Sequence, residues 1–111
     1  PRARESAADQ IESPTYTGHL ADAVSALVDT GAYGCYNVTG LGACTRVGFA
    51  EFVLQEAGRS EPVETVDAAT LSRVARRPTR SVLDCRLFQL VTGQSLPDWQ
   101  QGVRDYLANA P

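Results

Sequence analysis

Arginine side chains are concentrated in one stretch of this 111-residue chain. The stretch runs from Ala75 to Leu87 and holds four of the ten basic residues, all of which are arginine. The guanidinium group carries a planar set of N–H donors that suits phosphate and carboxylate groups. The stretch therefore predicts an anion-binding segment, with a solvated basic loop that pairs with nearby acidic residues as the alternative.

Two further features have residue types that could form a chemical site. The segment Thr39–Gly42 has two glycines but lacks the third glycine of a dinucleotide fingerprint, because Thr45 stands in its place. We interpret it as a strand-to-helix turn, or alternatively as a turn that aims a helix N-terminus at a ligand. His19, the only histidine, is interpreted as an exposed residue at a helix start, because the sequence offers it no partner for base catalysis.

Other catalytic and metal-binding patterns are absent from the sequence. No serine lies in a nucleophile elbow, the carboxylates are scattered, and the three cysteines stand at unrelated spacings. We therefore expect no catalytic residue and no metal ligand in this chain. The cysteines favour reduced thiols in a cytoplasmic protein.

Composition limits the function classes. The net charge of -3 argues against nucleic acid as the main partner, which would need a broad basic surface. No apolar run approaches the ~20 residues of a membrane span. The length and the 43% hydrophobic content predict one globular domain over residues 1–111, with residues 1–12 as an irregular lead-in.

The hydrophobic spacing predicts four helices with short strands between them. The helices are expected at about 19–29, 46–57, 85–92 and after Pro97, and one or two further helical turns at 67–74. The predicted N-caps are Thr15 or Thr17, Thr45 and Asp84. Short strands are expected at Tyr33–Val38 and at Pro62–Val66. The predicted fold class is α/β, a small helix-rich lobe whose few strands cannot form a self-sufficient sheet.

The chain lacks methionine and lysine altogether. A start at Pro1 without methionine favours a piece of a longer protein.

Several segments together resemble a known family. They are Asp9–Gln10 with Ser13–Ala21, Gly34–Gly40, Glu51–Phe52, Ala75–Pro78 with Ser81–Asp84, and Leu96–Trp99 with Tyr106–Leu107. In this order they resemble the C-terminal substrate-binding part of the extended short-chain dehydrogenase/reductases, in particular the dTDP-4-dehydrorhamnose reductase family. Two positions depart from that pattern: Glu12 replaces a glycine, and Arg46 replaces an aromatic residue.

The resemblance implies an enzyme in which one domain binds the cofactor and another, this chain, binds the substrate. The parent protein would use NADPH to reduce the 4-keto group of a dTDP-linked 6-deoxy sugar, giving dTDP-L-rhamnose. Its Rossmann domain, with a glycine-rich turn and a Tyr-x-x-x-Lys pair, would precede this chain and bind the cofactor. Because the chain has no lysine, it cannot contain that pair and would be inactive alone.

The resemblance also assigns a substrate-binding role to particular residues. Arg76 and Arg77 are the candidates for phosphate contact or positioning. Ser13, Pro14, Thr15 and Tyr16 would line the cleft that faces the cofactor lobe. The implied partners are the dTDP-sugar and the Rossmann domain, and the isolated chain is expected to self-associate through an apolar patch around its short strands. The alternatives are a non-catalytic regulatory relative and a sugar-nucleotide epimerase or dehydratase.

Overall fold

The computed structural model describes residues 4–7, 9–59, 62–66 and 77–110. Arg76 and the helical turns expected at 67–74 lie outside the described residues. The chain divides into two compact units, described here in turn. The first unit comprises residues 1–12 and 43–82, and the second comprises residues 13–42 and 83–111.

The first unit contains two short strand pairs and one helix. Strand β1 (Arg4–Ala7) pairs in parallel with β4 (Val63–Val66), and β2 (Ile11–Glu12) pairs antiparallel with β3 (Cys44–Thr45). The strand predicted over Pro62–Val66 is therefore confirmed. The irregular lead-in predicted for residues 1–12 is wrong, because β1 and β2 lie within it. Their polar sequences carry no alternating pattern, so pairing partners distant in sequence decide their conformation.

Helix α2 (Arg46–Glu56) packs on the strands of the first unit. Its predicted cap is confirmed: the Thr45 hydroxyl accepts a hydrogen bond from the Gly48 backbone N–H at 3.0 Å. Beyond the helix, Gly58 has φ +73°, the left-handed conformation that glycine adopts readily. Three apolar side chains of the helix, Phe49, Phe52 and Val53, are half-buried.

The second unit contains the other three helices and a small core. Helices α1 (Thr17–Thr30), α3 (Arg86–Thr92) and α4 (Trp99–Asn109) correspond to the predicted ones. Helices α1 and α3 pack against each other, with Phe88 of α3 only 1% exposed. The core cluster and the partly buried residues packed on it are Ala23, Phe88 and Leu96 with Leu27, Tyr36 and Val38.

The strand predicted over Tyr33–Val38 is wrong. The segment has no regular secondary structure, and side chains hold it instead of a strand ladder. The Tyr36 hydroxyl donates to the Ala32 carbonyl at 2.7 Å, while the Tyr36 ring and Val38 pack on the core. Aromatic and β-branched residues thus serve packing here, which is the reason that their strand propensity misleads.

The N-cap residues of helices α1 and α3 in the second unit differ from the predicted ones. Tyr16 is the N-cap of α1, and its side chain makes no capping hydrogen bond. The predicted cap at Thr15 or Thr17 is therefore wrong, since Thr17 is the first residue of the helix. Helix α3 begins after Cys85, although the Asp84 carboxylate still accepts from the Arg86 backbone N–H at 2.9 Å. Asp98 caps α4 by accepting from the Gln101 backbone N–H at 2.8 Å.

The described residues thus form an α/β structure with four helices, as predicted. Within the described ranges, none of these helices has the length and apolar character needed to cross a lipid bilayer.

Candidate functional site

Residues Ser13–Tyr16, here named the hydroxyl segment, are fixed against the glycine loop, residues Thr39–Gly42. The Ser13 hydroxyl donates to the Gly42 carbonyl at 2.6 Å. The Thr15 hydroxyl accepts from the Gly40 backbone N–H at 3.1 Å and donates to the Ser13 carbonyl at 3.2 Å. Thr15 is thus used to hold the glycine loop, which explains why it does not cap α1.

The glycine loop is also fixed to the start of α4. The Leu41 N–H donates to the Pro97 carbonyl at 3.2 Å, and the Trp99 N–H donates to the Leu41 carbonyl at 3.0 Å. A side chain at buried Gly40 would place its Cβ 2.6 Å from the Pro14 carbonyl oxygen. Only glycine therefore allows the loop and the hydroxyl segment to approach so closely.

These contacts decide between the two interpretations of the glycine loop. A phosphate cradle needs backbone N–H groups that are free to point at the ligand. The Gly40 and Leu41 N–H groups instead bond to Thr15 and Pro97. At the start of α2, the Arg46 N–H donates to the Gln10 carbonyl and the Gly48 N–H to Thr45. The loop is therefore a structural turn, and it does not fit the pyrophosphate of a dinucleotide cofactor.

Tyr16, the last residue of the hydroxyl segment, is surrounded by aromatic and small residues. Its ring meets the His19 ring edge-on, with centroids 5.0 Å apart, and the Tyr106 ring at 6.4 Å. A Cβ at Gly18 would lie 2.8 Å from its Cζ, and a Cβ at Gly102 would lie 3.2 Å from its Cβ. The absence of side chains at both glycines makes the room that the half-buried tyrosine occupies.

His19 lies beside Tyr16 and has a close partner. Its Nε2 is 2.6 Å from Oδ2 of Asp105 on α4, and its side chain is only 12% exposed. The interpretation of His19 as an exposed residue without a partner is therefore wrong. The partner lies 86 residues away in sequence, so no local pattern could have identified it.

The Asp105 carboxylate is held by two donors. The Gln101 side chain donates to Oδ1 at 2.8 Å, and His19 contacts Oδ2. These hydrogen bonds, with that from Gln101 the larger influence and that from His19 next, lower the pKa of Asp105. Because an ionised carboxylate only accepts hydrogen bonds, Nε2 of His19 is the donor of this pair.

The hydroxyl segment and the pair beside it do not form a nucleophilic site. Among the described residues, the Ser13 and Thr15 hydroxyls donate to backbone carbonyls and not to a histidine or a carboxylate. The imidazole of His19 faces Asp105 and Tyr16. Such an arrangement offers a rigid surface that can recognise a ligand, not a base that can activate a hydroxyl.

The described part of the arginine stretch belongs to the first unit up to Val82. Arg77 is exposed, and the chain next to it follows β2: the Ile11 N–H donates to the Thr79 carbonyl at 2.7 Å, and the Ser81 N–H donates to the Ile11 carbonyl at 2.9 Å. Arg86, in the second unit, forms an exposed ion pair with Asp84 at 3.3 Å. The roles of Arg76 and Arg77 in anion binding stay predictions.

The two positions that depart from the family pattern contact each other. Arg46 Nε lies 3.5 Å from Oε1 of Glu12, across the β2–β3 pair. Cys44 of the same pair has its pKa raised to about 11, by burial first and by the Glu12 charge second. Its thiol is therefore protonated at neutral pH and is not an activated nucleophile. All three cysteines of the chain are free.

Comparison with known protein families assigns the chain to one of them. The model described as RmlD substrate binding domain matches residues 4–111. The chain belongs to the RmlD substrate binding domain family. The family resemblance stated from the sequence is thereby confirmed.

Curated relatives of this RmlD-type chain include named reductases. The dTDP-4-dehydrorhamnose reductase of Mycobacterium tuberculosis (strain H37Rv) is 34% identical over 102 residues, which are 90% of this chain and 34% of that protein. The spore coat polysaccharide biosynthesis protein SpsK of Bacillus subtilis is 34% identical over 99 residues, 89% of this chain and 34% of that protein. The chain thus spans about a third of the length of these relatives.

Solved structures agree with the family assignment. The dTDP-4-dehydrorhamnose reductase of Bacillus anthracis in complex with NADP has a TM-score of 0.93 at 28% identity, covering 98% of this chain and 39% of that one. The Clostridium acetobutylicum dTDP-4-dehydrorhamnose reductase scores 0.89 at 29% identity, covering 94% and 37%. A UDP-glucuronic acid 4-epimerase from Bacillus cereus scores 0.69 at 14% identity, covering 100% and 36%, a likeness of fold alone.

Proposed function

We propose that this chain is the substrate-binding part of an NADPH-dependent dTDP-4-dehydrorhamnose reductase. The parent protein would reduce the 4-keto group of a dTDP-linked 6-deoxy sugar in dTDP-L-rhamnose biosynthesis. The observation that carries the proposal is the match of the RmlD substrate binding domain over residues 4–111, supported by the TM-score of 0.93 to a reductase of that name. The chain alone would bind substrate without catalysing reduction.

The cofactor belongs, in this proposal, to the part of the parent protein outside this chain. NADPH would supply the hydride for the reduction when it is bound there. The glycine loop of this chain supports that division, because the N–H groups of Gly40 and Leu41 are bonded within the chain. The three free thiols agree with a cytoplasmic location for the parent protein.

The hydroxyl segment is the proposed recognition surface of the second unit. Ser13, Pro14, Thr15 and Tyr16 are fixed in place by the glycine loop and by the residues around Tyr16. Such preorganisation reduces the entropy that is lost on ligand binding. The free Tyr16 hydroxyl, which makes no hydrogen bond among the described residues, would bond to a polar group of the sugar nucleotide.

Arg76 and Arg77 are the proposed diphosphate contacts of the first unit. The full-length protein should bind a dTDP-linked 4-keto-6-deoxy sugar, and replacing both residues by alanine should weaken that binding by about a hundredfold or more, since each hydrogen bond to a charged group contributes about 1.5–3 kcal/mol and each ~1.4 kcal/mol is tenfold. NADPH binding should stay unchanged. Isothermal titration calorimetry measures both, with Arg86→Ala as the control, because Arg86 is an exposed arginine already paired with Asp84. A double variant that binds the sugar nucleotide as tightly as the wild type would instead support the interpretation of this stretch as a solvated basic loop.

The same fold is compatible with a second function. The likeness to the UDP-glucuronic acid 4-epimerase favours the extended sugar-nucleotide architecture without selecting a reaction. Binding of UDP-glucuronic acid in preference to the dTDP-sugar would favour an epimerase. Binding of the dTDP-sugar without any turnover in the full-length protein would favour a non-catalytic relative.

A further inference from the structure

Tyr16 is enclosed on several sides, and that enclosure links two helices. Its ring lies against His19 of α1 and Tyr106 of α4, while Gly18 and Gly102 leave the space that it fills. A ring bounded in this way has few orientations available. The direction of its hydroxyl is therefore set by the residues around it.

The orientation of the His19 ring is itself fixed by Asp105. The 2.6 Å contact between Nε2 and Oδ2 sets the tilt of the imidazole, whose edge then meets Tyr16 at an interplanar angle of 89°. The carboxylate is in turn held at its other oxygen by Gln101, one helical turn earlier on α4. The chain of contacts thus runs from Gln101 through Asp105 and His19 to the Tyr16 ring.

A merely stabilising pair would explain the His19–Asp105 contact but not the arrangement around it. Two residues near Tyr16 are glycines, and the ring that they accommodate ends in a hydroxyl without a hydrogen bond in the described structure. The Tyr16 hydroxyl is not among the buried polar atoms that lack a partner in the described residues, so water can reach it and a ligand group can replace that water. The arrangement therefore positions a hydroxyl for a partner that comes from outside the chain.

We propose that His19 and Asp105 are positioning residues that hold Tyr16 in the orientation from which its hydroxyl bonds to the sugar nucleotide. This inference rests on the proposed function for the identity of the ligand. The two positioning residues lie on different helices and would act without touching the ligand themselves. Gly102 belongs to the same arrangement, since any side chain there would displace Tyr16.

The test uses the full-length protein and the dTDP-linked 4-keto-6-deoxy sugar as the probe. His19→Ala removes the donor to Asp105. His19→Gln keeps a donor, because the glutamine amide nitrogen reaches about as far as Nε2. We expect His19→Ala to raise KM for the sugar nucleotide about tenfold or more, with smaller change in kcat and none in NADPH affinity, because a misdirected contact weakens binding. His19→Gln should recover most of the loss.

Further variants separate positioning from folding and from general charge effects. Tyr16→Phe removes only the hydroxyl, and its KM should rise as much as that of His19→Ala, with no further rise in the double variant. Arg86→Ala removes an exposed ion pair of the same unit and should leave KM unchanged. If His19→Ala fails to fold, His19→Asn replaces it, since the shorter amide does not reach Asp105.

The Tyr16 ring signals in nuclear magnetic resonance give a readout without substrate. They are assigned with Tyr16→Phe, and they should shift in His19→Ala and return toward the wild-type position in His19→Gln. Unshifted signals in His19→Ala, a wild-type KM in that variant, or a glutamine variant as weak as the alanine variant would overturn the proposal. If the wild-type protein binds no sugar nucleotide, the proposed function fails, and the ring signals alone decide whether His19 positions Tyr16.

Discussion

At the scale of single residues, Gly40 determines whether the hydroxyl segment and the glycine loop fit together. An added Cβ would lie 2.6 Å from the Pro14 carbonyl oxygen, a backbone atom that cannot rotate away. Two hydrogen bonds that cross between these segments, from Ser13 and to Thr15, depend on the same approach.

Gly40→Ala should therefore lower the free energy of unfolding by about 1–3 kcal/mol, the usual cost of overpacking. It should also speed amide hydrogen exchange at Leu41 and Trp99, whose N–H groups tie the loop to the start of α4. Gly58→Ala is the control, because no atom lies within 4 Å of its added Cβ and only its positive φ is strained. Unchanged exchange in Gly40→Ala would contradict this description of the loop.

The lowered pKa of Asp105 predicts that the stability of the folded chain depends on pH. Its pKa is lowered in the folded state by Gln101 and His19, so the unfolded chain binds more protons as the solution becomes acidic. The resulting stability is complete above the pKa of an unfolded aspartate, about 3.9, and is lost as pH falls through the lower folded value.

Urea unfolding of the wild type and of Asp105→Asn checks this sign. The free energy of unfolding of the wild type should exceed that of Asp105→Asn by more at pH 7 than at pH 3. Asp29→Asn, an exposed aspartate at the end of α1, serves as the charge-matched control. A wild-type advantage that grows on acidification would show that the carboxylate is not held in its ionised form.

The residues of the candidate site differed in how far the sequence could identify them. Ser13–Tyr16 stood out through local motif order, and the structure shows what fixes that segment. The sequence does not reveal the burial and pairing of His19, because its partner is distant in the chain, and Asp105 carries no signal of its own beyond its i, i+4 spacing from Gln101. A contact of this kind joins side chains of α1 and α4 that are distant in sequence, and it has no local sequence pattern.

At the scale of elements, helices were predictable where apolar spacing and caps agreed. Thr45 satisfied both conditions at α2, and Gly93 ended α3 in the left-handed conformation, φ +69°. The strands were less predictable, because β1 has a polar sequence and pairs with β4 about sixty positions further along. Tyr33–Val38 has strand-forming residues but lacks a backbone partner, and it packs on the core instead.

Thr45→Ala tests the contribution of the α2 cap. Loss of the hydroxyl that accepts from Gly48 should lower the free energy of unfolding by about 1 kcal/mol. Thr45→Ser keeps the acceptor and is the matched control. Chemical denaturation measures both variants, and equal losses in the serine and alanine variants would assign the effect to the methyl group of Thr45 rather than to its capping oxygen.

At the scale of the whole molecule, exposed apolar side chains favour self-association of the isolated chain. The described ones include Val24 and Val28 on α1 and Leu87 and Leu90 on α3, between 50% and 74% exposed. These side chains lie on two helices, whereas the sequence predicts an apolar patch around the short strands. Apolar surface left open to water promotes association between copies.

The 111-residue chain should therefore form dimers or larger species in light scattering at micromolar concentration. Val28→Glu with Leu90→Glu should shift it toward the monomer, because charges on that surface oppose its burial. Ser25→Glu with Gln89→Glu places the same charges on exposed polar positions of the same helices and is the control. A strictly monomeric wild-type chain would contradict the prediction.

Turnover by the full-length parent protein is the most direct test of the proposed reaction. The first measurement is the oxidation of NADPH by the full-length protein in the presence of a dTDP-linked 4-keto-6-deoxy sugar. The second uses NADPH with a labelled hydride and determines which carbon of the product carries the label. The proposed function predicts NADPH consumption that depends on the sugar nucleotide, label at C4 of the sugar, and no turnover by the 111-residue chain alone. Turnover by the isolated chain, or a full-length protein that binds both compounds and consumes no NADPH, would contradict it.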